Sequence, residues 1–184
     1  MHDAPTRDMF AVGYEIRKTP SRPDQIEVFS GQSGMKVFKN PTALPRAWIV
    51  HEVRSVGRRG ERPQDPRREA TIFGAPPKLG TCPDNPQTQW ISRNPSKMAL
   101  RTEASCRGLL VIADTYFPGW IAKVDGTPAA VLEVNGAQRG VIVEAGVHTV
   151  EMSYRPMSVI AGAALTALGW LATLGLWLRK RKKS

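Results

Sequence analysis

From Met157 to Leu178 the chain runs 22 residues without a charge, and Arg179, Lys180, Arg181, Lys182 and Lys183 follow at once. A globular core rarely asks for so long an uncharged helix. At about 1.5 Å per residue the run spans roughly 33 Å, enough to cross a hydrocarbon layer of about 30 Å. The five cations would end it in a phosphate-rich layer, and Trp177 suits the same interface. The sequence therefore predicts a transmembrane helix over 157–178 and a basic tail over 179–184. Trp177, Arg179, Lys180, Arg181, Lys182 and Lys183 are the expected membrane-interface residues, and a lipid bilayer is the first expected partner. Residues 1–156 must then fold as a polar domain beside a membrane.

The formal charge of +10 looks at first like a nucleic-acid signature. Without the tail, 21 Lys and Arg face 16 Asp and Glu, and the excess falls to +5. Much of it clusters in Arg54, Arg58, Arg59, Arg62, Arg67 and Arg68, among glycines and prolines. Such a run reads as a solvated loop, so no nucleic-acid partner is expected, and lipid headgroups suit the charges better. Two cysteines, Cys82 and Cys106, leave pairing open, because spacing does not bring sulfurs together. His2, His51 and His148 are scattered and neither cysteine has a CxxC partner, so no metal or cofactor is expected. The cations after the span put the C-terminus in the cytoplasm and the domain outside. MHDAPTRDMF has no apolar h-region and does not read as a secretory signal. Two arrangements suit both facts: the C-terminal piece of a longer polytopic protein, or a tail-anchored cytoplasmic protein.

Between Lys97 and Tyr154, apolar runs recur every eight to twelve residues, separated by glycine-containing turns. Asp125-Gly126 and Asn135-Gly136 favour the positive φ of tight hairpins, and Ala145-Gly146 offers another turn. In the last run Val150, Met152 and Tyr154 share one strand face. The expected fold is mainly β, an antiparallel sandwich or meander within residues 1–156, followed by the single transmembrane helix. Upstream, strands are expected at 9–16, 25–29, 35–39, 47–53 and 69–73. Exposed loops are expected over about 54–68 and 74–96, the first too polar to bury anything and the second broken by prolines. Within the span, Gly162, Gly169 and Gly175 with five alanines give a small-residue helix suited to packing against other spans.

The most distinctive string is Asp114-Thr115-Tyr116-Phe117-Pro118-Gly119-Trp120. It has two readings. Asp114 caps a turn that Pro118-Gly119 reverses, with the Trp120 ring in the core. Alternatively, Asp114 meets a sugar hydroxyl while Tyr116, Phe117 and Trp120 form a stacking platform, which makes these four the candidate carbohydrate contacts. A glycosidase needs a second carboxylate at a set distance. Asp125, Glu133 and Glu144 are present, but no spacing marks a pair. His148 shares a face with Val150 and reads as a hydrogen-bonded packing residue. GxSxG, GxGxxG and GxxxxGK[ST] are absent, and no catalytic residue is assigned.

Several linked strings resemble the C-terminal region of YfhO-like bacterial membrane proteins. They are D-x-x-Y/F-P-G-W at Asp114, Pro118, Gly119 and Trp120, and V-D-G at Val124, Asp125 and Gly126. Next come Asn135 and then R-x-V/I-x-V-x-A-G-x-H-x-V through Arg139, Val141, Val143, Ala145, Gly146, His148 and Val150. Tyr154 and Pro156 precede the span. Upstream, Asn40, Ala43, Leu44, Pro45, Arg46 and Ala47 resemble the family's A-L-P-R-A string. The resemblance implies a polytopic glycosyltransferase that takes sugar from a polyprenyl-phosphate donor at the outer face of the bacterial cytoplasmic membrane. The family's catalytic loop lies among early spans that this chain does not contain. The resemblance therefore implies a non-catalytic accessory or acceptor-positioning domain, working beside a multispanning membrane protein and a glycan or lipid-linked sugar. A carbohydrate-binding module and a tail-anchored cytoplasmic interaction protein are the alternatives.

Overall fold

The computed structural model describes residues 4–82 and 86–181. The elements are α1 Ala4–Met9, β1 Tyr14–Arg17, β2 Ile26–Ser30, β3 Lys36–Lys39, β4 Ala47–Val50, β5 Glu52–Val56, β6 Glu69–Phe73 and β7 Gln87–Asn94. They continue as β8 Lys97–Ala104, β9 Gly108–Thr115, β10 Trp120–Val124, β11 Thr127–Ala129, β12 Leu132–Val134, β13 Gln138–Val143, β14 Gly146–Tyr154 and α2 Met157–Arg181. The chain is mainly β, with one long apolar helix at its C-terminal end.

Two sheets form a sandwich. One runs β4-β9-β13-β12-β6-β5 and the other β11-β10-β14-β8-β7, while β1-β3-β2 make a small third sheet. Successive strands of the second half change sheets: β8 lies in the five-stranded sheet, β9 in the six-stranded one, and β10 and β11 in the five-stranded one again. The sandwich therefore applies and a simple meander does not. Two of the three expected turns are hairpins. Asp125 and Gly126 have φ of 50° and 79°, Asn135 and Gly136 of 53° and 80°, as tight turns between right-twisted strands require. Ala145-Gly146 instead carries the chain from one sheet to the other.

The six-stranded sheet is covered on both faces. Ile49, Leu110, Ile112, Val141 and Val143 meet Met98, Leu100, Val150 and Met152 of the facing sheet. Trp48, Val50, Leu109, Val111 and Val134 pack outward against Met9, Leu44 and Ala70. This is why β9 reads as an unbroken apolar run rather than an alternating one.

Several expectations need correction. The run 9–16 is not one strand: Phe10 and Val12 donate back to the Thr6 and Arg7 carbonyls, Ala11 takes φ 56°, and β1 begins only at Tyr14. The run 47–53 is split at His51 into β4 and β5. β5 pairs with β6 in parallel, whereas the other pairings are antiparallel. The segment 54–68 begins as strand, and its Pro63 and Pro66 are buried, with Trp48 Nε1 donating to the Pro66 carbonyl at 2.8 Å. Its prolines fill space that its arginines cannot. The segment 74–96 contains β7, an edge strand that turns Thr88 and Trp90 inward.

Helix α2 is 25 residues long. Its stretch Met157–Gly175 is long and apolar enough to cross a membrane, and none of it is buried against the domain. Thr166 and Thr173 donate to the Gly162 and Gly169 carbonyls, so their hydroxyls need no solvent. Only Arg155 and Pro156 separate β14 from α2.

Candidate functional site

The apolar run of β9 stops at Ala113, and Asp114 and Thr115 emerge at one end of the sandwich. Opposite them β13 begins, with an irregularity between Gln138 and Arg139. At the same end β7 finishes with Arg93 and Asn94 against the start of β8, and Trp120 of β10 pairs with Tyr154 of β14. Strand ends from both sheets thus converge where the chain leaves for α2.

Asp114 lies at the centre of this end. Its Oδ1 is 3.3 Å from Arg46 Nη1 and 3.3 Å from Arg93 Nη2, and its Oδ2 is 3.4 Å from Arg139 Nη2. The Arg139 side chain is 5% exposed. Its guanidinium lies 3.9 Å from the centre of the Trp120 ring, a cation–π contact, and its Nη1 points to Met98 Sδ at 3.8 Å. Its Nε is buried without a hydrogen-bond partner. Burial pulls the Arg139 guanidinium below its ordinary range, Asp114 pulls it back, and Arg93 adds to the lowering. Between these groups opens a pocket of about 510 Å³, lined by Arg93, Asn94, Met98, Asp114, Thr115 and Arg139. Three guanidiniums share one carboxylate, so the cluster carries an excess of two positive charges.

The four candidate carbohydrate contacts are dispersed by this geometry. Both Asp114 oxygens face arginines, so Asp114 is neither the expected turn cap nor a free ligand. Trp120 is half-buried, with Arg139 over its ring and Tyr154 at 5.4 Å between centroids. Its ring packs against the edge of the core and is not open as a platform. Tyr116 is half-buried and its N–H donates to the Ala137 carbonyl, while Phe117 is exposed and meets Tyr154 edge-on at 6.3 Å. Gly119, at φ 108°, is obligatory here. A Cβ on it would come within 3.1 Å of Pro156 Cα and Tyr154 Cε2, and its carbonyl accepts from the Arg155 N–H at 2.7 Å.

At the opposite end of β10, His148 Nδ1 and Asp125 Oδ2 are 2.6 Å apart, and Asp125 Oδ1 accepts from the Thr149 N–H. His148 Nε2 lies 3.2 Å from the Ala145 carbonyl. Both ring nitrogens face acceptors, which favours imidazolium. The Asp125 hydrogen bond raises the His148 pKa above its ordinary value, and the His148 and Thr149 bonds lower that of Asp125. This pair locks a turn onto its neighbouring strand.

Glu133 pairs with Arg59 and Glu144 with Arg107, each on the surface. Cys82 and Cys106 form a disulfide, with His51 Nδ1 3.5 Å from Cys106 Sγ. His51, Cys82 and Cys106 are the one metal-competent grouping among the described residues, and its sulfurs are bonded to each other. Trp177 is about half exposed on α2, and Arg179, Lys180 and Arg181 belong to its last turn. Lys182 and Lys183 lie outside the described residues.

Arg93 gave no signal in the sequence. For Arg139 the available clue was a charge inside an otherwise apolar strand, and Arg46 stands just before β4. Compared with protein-family models, curated proteins and solved structures, the chain matches none.

Proposed function

We propose that this chain is a non-catalytic, membrane-anchored accessory domain that positions an acceptor beside a multispanning partner, in the manner of the C-terminal part of a YfhO-like envelope glycosyltransferase. One observation carries the reading. The charged pocket opens at the same end of the sandwich from which β14 passes into α2, two residues from the start of an apolar helix. Whatever enters that pocket is met at the level of the headgroups. The gathering of Arg46, Asp114 and Arg139 into one cluster supports the resemblance, because those three positions are far apart in the chain. The Cys82–Cys106 disulfide supports a domain on the oxidising, extracytoplasmic side of a bacterial cytoplasmic membrane, with the basic tail in the cytoplasm, over a tail-anchored cytoplasmic protein.

A glycan-stacking module is the second reading, and exposed Phe117 favours it. It is weakened by Trp120, whose ring is occupied by Arg139. Orientation is testable with a membrane-impermeant thiol reagent on intact cells carrying Ser33→Cys, an exposed loop position. Labelling without lysis is expected; labelling only after lysis would overturn the extracytoplasmic reading. Glycosyl transfer from a lipid-linked sugar by the purified chain alone would overturn the non-catalytic one.

A further inference from the structure

We infer that the pocket bounded by Arg93, Asp114 and Arg139 is an oxyanion site that takes a phosphate ester group. The inference deepens the proposed function and rests on its membrane-proximal placement of the pocket.

The charge balance comes first. Asp114 is the one carboxylate lining the pocket, and both its oxygens already face guanidiniums. It offsets one of three cations. Arg139, 5% exposed, has Asp114 Oδ2 to itself, while Arg46 and Arg93 share Oδ1 from part-exposed positions and carry the two charges in excess. Burying a cation without full pairing is costly, and a protein that does so next to an open cavity has left room for an anion.

Donor geometry comes second. Arg139 Nε is buried and has no partner, and Arg139 lines the cavity. Trp120 holds the guanidinium plane from one face, so its orientation is set before any ligand arrives. Arg93 comes from another strand and is braced over Trp90 at 5.4 Å. Asn94 and Thr115 add neutral donors. The two guanidiniums arrive from different strands, β7 and β13, and reach different oxygens of Asp114. A planar carboxylate would serve one of them well, whereas a tetrahedral phosphate presents oxygens to both.

Two sources share this chemistry: the phosphodiester of an anionic lipid headgroup and free phosphate. The pocket's position near the start of α2 gives lipid the shorter path, and the experiment separates the two. The full chain in nonionic detergent micelles is titrated with inorganic phosphate and, separately, with a short-chain phosphatidylglycerol. The readout is the Arg139 Nε–H resonance. A saturable shift in either titration is expected, weakened about tenfold in Arg93→Gln, roughly the value of one charge-assisted hydrogen bond. Arg93 is 41% exposed, and retention of the native unfolding temperature by the variant checks its fold. Tighter binding of phosphatidylglycerol by at least about tenfold assigns the site to lipid, and equal binding assigns it to free phosphate. No saturable shift with either probe, or equal affinity in Arg93→Gln, overturns the site. A silent titration with Ser33→Cys still labelled from outside defeats the phosphate assignment alone. Labelling only after lysis defeats the orientation, and the titration in micelles still judges the pocket.

Discussion

Asp114 and Asp125 flank β10, one before it and one after, at opposite ends of the same sandwich. Each accepts from a basic group, yet their surroundings differ. Asp125 meets one histidine and one backbone N–H at a turn, with its side chain half exposed. Asp114 is 19% exposed and divides its two oxygens among three arginines, one of them buried with an unsatisfied Nε. A turn lock needs one balanced pair, and its value is limited by solvent. A cluster with two charges in excess and one buried, unpartnered guanidinium N–H has capacity left for an anion. That contrast is why function is sought at Asp114 and not at Asp125.

The sharpest way to break the comparison is Asp114→Asn. It leaves three guanidiniums facing one another, and a loss of about 3 kcal/mol in unfolding free energy is expected, the lower end for breaking a buried pair. Denaturant unfolding of the full chain in micelles measures it, and a loss no larger than that of Asp125→Asn would erase the distinction. Trp120→Leu is next, at about 1–2 kcal/mol, because it removes the ring under a desolvated cation while keeping an apolar side chain. Combined with Arg139→Lys in a double-mutant cycle, the losses should fall short of additive.

The smaller effects belong to the turn. Asp125→Asn should bring the His148 titration midpoint back down toward 6.5, read by NMR. The pH dependence follows from the two directions. His148 is raised on folding, so its contribution is full below 6.5 and is lost as pH rises through the folded midpoint. Asp125 is lowered on folding, so its contribution is full above 3.8 and is lost as pH falls through the folded midpoint. Stability differences between the parent and His148→Gln should therefore be largest between these two values and shrink on either side. A difference that grew above neutrality would refute the charged pair.

Much of the sandwich was legible because its signals are local. Leu109 to Ala113 form a strand buried on both faces, and Asp125-Gly126 and Asn135-Gly136 are turn dipeptides whose left-handed φ values need no tertiary context. β7 was missed because an edge strand needs only Thr88 and Trp90 inside, too few apolar positions to show a period. The burial of Pro63 and Pro66 was hidden by the arginines around them, since composition averages over neighbours that point in different directions. The charged pocket was the least legible part. Arg46, Arg93, Asp114 and Arg139 come from four separate segments, and only pairing of the sheets brings them within 3.4 Å of a shared carboxylate.

The link between β14 and α2 has a mechanical consequence. Two residues reach at most about 7 Å, and here one of them, Arg155, is bonded to Gly119 while the other, Pro156, is wedged against it. A tether so short and so pinned gives the domain almost no radius of swing. With α2 seated in a bilayer, as proposed, the pocket is held at one height, and its encounters with lipid-borne molecules become a two-dimensional search paced by lateral diffusion.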